Sequence, residues 1–334
     1  MYETEHTDGR TGRINYTVWS QILGCPECGA EVNFHRVAMK DDGRLRDEFA
    51  CPSCGAMLDK NSMDRLFETK LDPVTNEPRK QLKREPVLIN YEVDGGEFEK
   101  EPDREDLELI ERIEEMPLPD SVPIDRFPIE QMSHGSRIAP KGVEHVHQVY
   151  VPRAAQALGR LWELVEEVKE SRLRNMLFFW IDQAIWGLSV MNRYQPTHYS
   201  QTNRQLTGVY YIGSLHAEVT PRYNLSSKIE TRLESAFSDV SDVNEPVAIS
   251  TGNAATLGLP DDSVDFVFTD PPFGENKYYA DLNFLTEAWY GVVTNPGEEA
   301  IIDSAKSKNL RDYQEMMTDC FVEYHRVLKP GRWM

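Results

Sequence analysis

Two CPxCG turns, Cys25-Pro26-Glu27-Cys28-Gly29 and Cys51-Pro52-Ser53-Cys54-Gly55, are separated by 22 residues and constrain this chain more than any other feature. Each turn aims two thiolates at one point, and the glycine behind the second cysteine lets the backbone close around them. Four thiolates at this spacing suit a tetrahedral zinc ion. Iron is one alternative, and a pair of disulfides, disfavoured in a reducing compartment, is the other. A β-hairpin pairing residues 32–38 with 44–49, turning at Asp42 and Gly43, is expected to fill the gap. The resulting ribbon, residues 24–60, reads as a self-contained module. It either staples an insertion too small to build its own core or contacts nucleic acid or protein. The fifth cysteine, Cys320, is expected to pack on a helix.

Charge narrows the partners. The 334-residue chain carries 36 basic and 56 acidic residues, a net charge of −20, the opposite of a broad phosphate-binding face. The acidic residues are spread over Asp41 and Asp42, 94–115, 163–170, Glu298 and Glu299. Such a spread fits adaptation to high salt as well as repulsion of nucleic acid. Local basic patches such as residues 79–84 remain, and these are more often solvated faces than binding sites. The longest apolar stretch, 177–191, contains Asp182 and Gln183. It is too short and polar to span a bilayer, so a buried helix and no membrane partner are expected. The amino terminus has no basic region followed by an apolar one, so a cytoplasmic protein is expected.

Patterning divides the chain into five parts. Residues 1–23 are an aromatic-rich lead and 24–60 the ribbon. Residues 61–150 read as a mostly extended, exposed connector with one amphipathic run at Leu107, Ile110, Ile113 and Met116. Residues 151–240 read as a helical insert, a candidate for target recognition. There, apolar positions from Leu158 to Ile181 recur every three or four residues and predict one long helix or two in succession. A β-prone run at 208–213 and a helix over 226–237 follow. Residues 241–334 then change rhythm: strands at 247–250 and 263–270, helices over 281–292 and 310–327, and a turn at Leu328-Lys329-Pro330-Gly331. That order predicts a parallel α/β sheet. A further strand is expected after this turn, where the chain stops, so the sheet is expected to be partial.

Thr269-Asp270-Pro271-Pro272-Phe273-Gly274 follows the apolar run 264–268, which would place Asp270 at the carboxyl end of a buried strand, the edge where open α/β sheets bind ligands. These residue types suit attack by an exocyclic amine of adenine or cytosine, whose lone pair is delocalised into the ring. Asp270 and the Pro271 carbonyl can each accept a hydrogen bond from that amine and favour a tetrahedral nitrogen. Pro271 and Pro272 fix the loop. Phe273 would stack on a base flipped out of the duplex. The plain alternative is an ordinary strand followed by a proline-rich turn.

With these motifs the chain resembles the zinc-ribbon adenine-specific DNA methylases, members of the amino-methylating (N6-adenine or N4-cytosine) DNA methyltransferases. The resemblance rests on the two knuckles preceded by Tyr16-Thr17-Val18-Trp19-Ser20, on the 269–274 loop, on Tyr279-Ala280-Asp281-Leu282-Asn283 with Trp289, and on 328–331. The middle of the chain matches only through Arg153 and Asn192-Arg193-Tyr194. It implies an α/β fold: a partial Rossmann-like sheet for S-adenosylmethionine, with the zinc ribbon and a helical region inserted. It also implies a DNA base as acceptor and a catalytic group of Asp270, Pro271, Pro272 and Phe273. Ser250 and Asn253, with Asp270, would contact the cofactor, although Asn253 stands where the family carries Asp. The family's G-x-G cofactor loop is nowhere in the sequence. The resemblance therefore implies an internal piece that needs a complementary chain carrying that loop and is inactive alone. Two alternatives remain: a non-catalytic, zinc-ribbon fragment that binds nucleic acid or protein, and methylation of an RNA base. Asp270, where protein-amide-methylating relatives carry Asn, argues against a glutamine acceptor.

Overall fold

Residues 14–25 are buried without interruption, polar members included, which marks a strand covered on both faces rather than a lead segment. In the computed structural model, which describes residues 1–206, 208–235 and 247–334, this stretch lies in β2 (Thr11–Gly24), preceded by its antiparallel neighbour β1 (Glu3–Glu5). Five short strands follow: β3 (Glu31–Asn33), β4 (Glu48–Ala50), β5 (Met57–Asp59), β6 (Asp64–Arg65) and β7 (Phe67–Leu71). Beyond them come β8 (Pro78–Leu82), β9 (Arg84–Val93), β10 (Gly96–Lys100) and, much later, β11 (Leu215–Val219). β2 is the spine of a seven-stranded antiparallel sheet in which β9 runs along one edge and β1, β11 and β3 share the other. β10 closes the far side through a hairpin whose turn, Asp94 (φ 49°) and Gly95 (φ 82°), has the left-handed pair that matches strand twist. Polar side chains inside the sheet find partners: Asn15 donates to Asn90 at 3.0 Å and Thr17 accepts from Arg153 at 3.0 Å.

The expected connector is therefore not an exposed link. Residues 61–150 supply β6 to β10, and Val87, Ile89 and Tyr91 of β9 are core residues. The amphipathic run forms the helix Arg104–Glu114, opened by an Asp103–Asp106 capping box, with Ile110 and Ile113 buried and Leu107 and Met116 exposed. The long periodic stretch folds as three helices, Pro152–Glu166, Ser171–Ile181 and Gln183–Gly187. The first break comes where Glu170 caps the second helix by accepting from the amides of Arg172 and Leu173. Residues 208–213 hold no strand among those described; the strand is β11, immediately after them, fully buried. Its His216 and Glu218 disguise it, because polar residues in a strand ordinarily mark a solvated face. The end of the helix expected over 226–237 and the boundary at 240–241 lie outside the described residues.

Beyond them, residues 247–250 form no strand, and Val247 and Ile249 are exposed. The two carboxy-terminal helices appear as Tyr279–Tyr290 and Leu310–Val327. The expected parallel pairing is confined, among the described residues, to β12 (Val264–Phe266) against β13 (Leu328–Trp333). Thus the chain is mixed α/β, with its main sheet antiparallel. The helix Tyr279–Tyr290 buries Phe284, Leu285 and Trp289 in the core built by the helices of 152–191. Trp289 and Trp162 lie 5.2 Å apart, and the Trp289 indole donates to the Tyr150 hydroxyl at 3.0 Å. Among the described residues no helix is long and apolar enough to cross a membrane.

Candidate metal centre and the Asp270 loop

Each CPxCG turn is the tip of its own hairpin. β2 pairs with β3 around the first knuckle, and β4 with β5 around the second. In each, the glycine amide donates back to the first cysteine's carbonyl, Gly29 to Cys25 at 2.8 Å and Gly55 to Cys51 at 2.9 Å, with both glycines at positive φ. The hairpin expected between the knuckles is replaced by a short helix, Phe34–Ala38, capped by Asn33. Only an isolated bridge, Met39 to Leu45, and a turn at Gly43 survive of it.

The four sulfurs converge. A tetrahedral ion with metal–sulfur bonds of about 2.3 Å spaces its ligands about 3.8 Å apart. Cys25 Sγ lies 3.8 Å from Cys54 Sγ, and Cys28 Sγ lies 3.8 Å from Cys51 Sγ. All four sulfurs lie within 4.8 Å of one another, far beyond disulfide length. The donor set and spacing therefore fit a metal. The amides of Cys54 and then Ser53 hold the Cys51 thiol down to about 6, while Cys28 and Cys54, against their own backbone donors, are held above their ordinary value by the neighbouring sulfurs and burial, so the crowded quartet favours one thiolate until a cation sits among them. Nor is the ribbon self-contained: Val32, Phe34, Phe49 and Leu58 share one apolar cluster with Tyr16, Val18 and Val87 of the main sheet.

The Asp270 loop lies beyond the end of β12, where Val267 N–H still donates to Trp333 at 3.1 Å. The strand leading to it is not buried as expected, since Phe266 is 62% and Phe268 87% exposed. The loop is tethered at its second proline, whose carbonyl accepts from the Tyr313 hydroxyl at 2.7 Å, and at Gly274, whose carbonyl accepts from Ile302 N–H at 3.3 Å. Asp270 is exposed and makes no ion pair among the described residues. Pro271 is half-buried and Phe273 is 65% exposed. Ser250 and Asn253 are exposed as well. The Asn253 carboxamide caps Ala255 N–H at 2.9 Å and reaches Glu298 at 3.5 Å, so its hydrogen bonds run away from Asp270.

Next to the loop stands a buried cluster that spacing alone did not suggest. Lys306 Nζ donates to Asp281 and to Asp303, both at 2.6 Å, while Ser133 donates its amide to Asp281 at 2.9 Å and its hydroxyl to Asp303 at 3.0 Å. Burial opposes the charge on Lys306, but the two carboxylates outweigh it and hold the ammonium above its ordinary value. Three distant segments are thereby clamped together, and Asp281 is committed to structure. Arg153 and Asn192 are likewise structural. Arg153 binds Glu218, and the Asn192 carboxamide donates to Gly187 and Ala217 and accepts from Arg204 N–H. Compared with family models, with curated proteins and with solved structures, the chain gives no match, so these residues alone speak for its function.

Proposed function

We propose that this protein methylates an exocyclic amino group of a DNA base, adenine N6 in the first instance, with S-adenosylmethionine as donor and a structural zinc ion on Cys25, Cys28, Cys51 and Cys54. The observation that carries the reading is the Asp270–Phe273 loop, which offers an unpaired carboxylate and an open aromatic ring at the carboxyl end of a parallel strand pair. Asp270 would accept a hydrogen bond from the target amine and localise its lone pair, and Phe273 would stack on the flipped base. The Tyr313 hydroxyl, by holding the Pro272 carbonyl, fixes the loop for that task. S-adenosylmethionine, when bound, supplies the electrophilic methyl group. Exposed Phe266 and Trp333 on the β12–β13 pair, with Phe268 just beyond it, support a complementary chain covering this sheet.

The test is direct. The chain is incubated with donor labelled on its methyl group and, in parallel, mixed-sequence duplex DNA or RNA, alone and with the products of the flanking reading frames. Digestion to nucleosides is expected to yield labelled N6-methyldeoxyadenosine, and Asp270→Ala to abolish it. Label in RNA but not DNA would move the acceptor; label in neither would overturn the reading.

A further inference from the structure

The 79–84 run does not behave as a solvated face. β8, the start of β9 and the turn at Lys141 enclose a cavity of about 180 Å³ between the main sheet and the helical region. Arg79, Arg84 and Lys141 all line it, with Trp19 and Tyr150 among its aromatic walls. None of these three cations belongs to an ion pair among the described residues. Arg79 donates to the carbonyls of Gly142 at 2.8 Å and Gln148 at 3.4 Å, and Lys141 to the carbonyl of Ile212 at 2.9 Å. Arg84 Nε is buried and has no hydrogen-bond partner among the described residues.

The carboxylates on the same wall are already engaged. Asp72 accepts from Gln148 at 2.7 Å, faces His147 Nε2 at 2.9 Å and takes the amides of Val74 and Thr75. Glu68 accepts from Gln81 at 2.8 Å, and Glu114 pairs with Lys70 at 2.8 Å. Around Lys141 the field is one-sided: burial, followed by Arg65, Arg84, Lys60 and Arg137, pushes the ammonium down to about 8. The cluster is also held in place by design of the backbone. Gly142 sits at φ +80°, and a Cβ there would fall 2.0 Å from the Lys80 carbonyl, so only glycine lets this turn bring Lys141 against β8.

Several unpaired cations around one enclosed cavity, in a chain of net charge −20, are costly unless an anion completes them. We propose that this cavity is a binding site for a small phosphoryl anion, such as a phosphate monoester or the end of a nucleoside diphosphate, held by Arg79, Arg84 and Lys141. The lining sets Lys70, Arg79, Arg84 and Lys141 against Glu68, Asp72 and Glu114, an excess of positive charge, and a phosphoryl group suits it better than a carboxylate because its three oxygens can meet both guanidinium groups and the ammonium at once. Two guanidinium forks match phosphate oxygens geometrically. The volume admits one phosphoryl group and a little more, not a duplex. This site is separate from the Asp270 loop and stands whether or not the protein transfers methyl groups.

The experiment is calorimetry and thermal unfolding of the full chain with inorganic phosphate, a nucleoside diphosphate, acetate and a single-stranded DNA dodecamer, against chloride at matched ionic strength. The two small phosphoryl ligands are expected to bind and raise the unfolding temperature, acetate and chloride not. Arg84→Gln and Lys141→Gln should each weaken phosphoryl binding at least about tenfold, while the unliganded Arg84→Gln protein unfolds at the same or a higher temperature because an unpaired buried charge is gone. Arg311→Gln, an exposed residue paired with Glu315, should leave binding unchanged. Phosphate behaving like chloride would overturn the proposal. So would full affinity in both Arg84→Gln and Lys141→Gln, or binding of the dodecamer alone. If Arg84→Gln does not fold, Lys141→Gln decides.

Discussion

Glu218 is wholly buried, and four donors converge on it: Arg153 through Nε at 2.8 Å and Nη2 at 2.9 Å, the Trp19 indole at 2.8 Å and the Tyr2 hydroxyl at 3.0 Å. The Tyr2 ring covers the guanidinium at 4.6 Å. Such a pair is worth little over a well-packed apolar replacement, but removing one member strands the other. Arg153→Met should therefore destabilise the fold by about 3–5 kcal/mol, read as a shifted urea midpoint, and an added Glu218→Leu should restore part of it. No recovery in the double variant would mean that packing, not the stranded charge, dominates. Asp270 and Phe273 are the opposite case. Both are exposed, so Asp270→Ala and Phe273→Ala should each change stability by no more than about 0.5 kcal/mol, whereas Phe127→Ala, at a fully buried position, should lose about 3–5 kcal/mol. A large stability loss in Asp270→Ala would make any missing methylation an unfolding artefact. Arg153 was conspicuous in the sequence, but its role was not, because Glu218 lies 65 residues away in a strand that its own polar residues conceal.

Among the elements, the knuckle hairpins are the ones whose stability a metal on the four cysteines would govern, while β9, with β10 hydrogen-bonded along it, has a core of its own. Cys28 is exposed, and its replacement by Ser removes a ligand without opening the core. Cys28→Ser should drop bound metal from one equivalent per chain to none, and hydrogen exchange should accelerate in β3, β4 and β5 while β9 and β10 stay protected. Elemental analysis finding neither zinc nor iron in the freshly purified wild type would sink the metal centre itself. The knuckles were legible because a CPxCG turn is set by five consecutive residues. The element between them was not: Phe34, Val37 and Ala38 have helical spacing but over only five residues, too few to outweigh the hairpin expectation, and helix formation there is decided by the Asn33 cap and by Phe34 reaching Phe49, 6.1 Å away across the ribbon. The helix Leu310–Val327, by contrast, has its start in local sequence, an Asn309–Asp312 capping box, whereas the turn expected at 328–331 is instead the beginning of strand β13, held by pairing with the distant β12.

For the molecule as a whole, acid is the lever. His216 lies stacked on Trp19 with both ring nitrogens buried and unpartnered, and burial, then Arg84, holds it well below its ordinary value. Burial also lowers His134, and it lowers His147 against the opposing pull of Asp72. In each, the unfolded chain takes up a proton that the folded chain refuses. Stability is therefore full above pH about 6.5 and declines as pH falls through that value, by up to about 1.4 kcal/mol per pH unit for each histidine. Asp72 is held below the usual carboxylate range, its burial outweighed by His147 and Gln148, and its share persists until pH falls below about 4. Urea midpoints measured from pH 8 to pH 5 should fall only below the histidine range, and His216→Phe should flatten that slope; a level series would show that the imidazoles are not sealed from protons. The sequence by itself determined what adjacent residues settle: the thiolate quartet, the capped helices and the loop after residue 268. Tertiary structure alone decided that residues 14–22 form the spine of the sheet, that the expected connector of 61–150 supplies its neighbour β9, and that Arg79, Arg84 and Lys141 face one cavity. Strand pairing and the sharing of a cavity join residues tens of positions apart, and their free energy lies in faces covered by distant segments, which no local periodicity encodes.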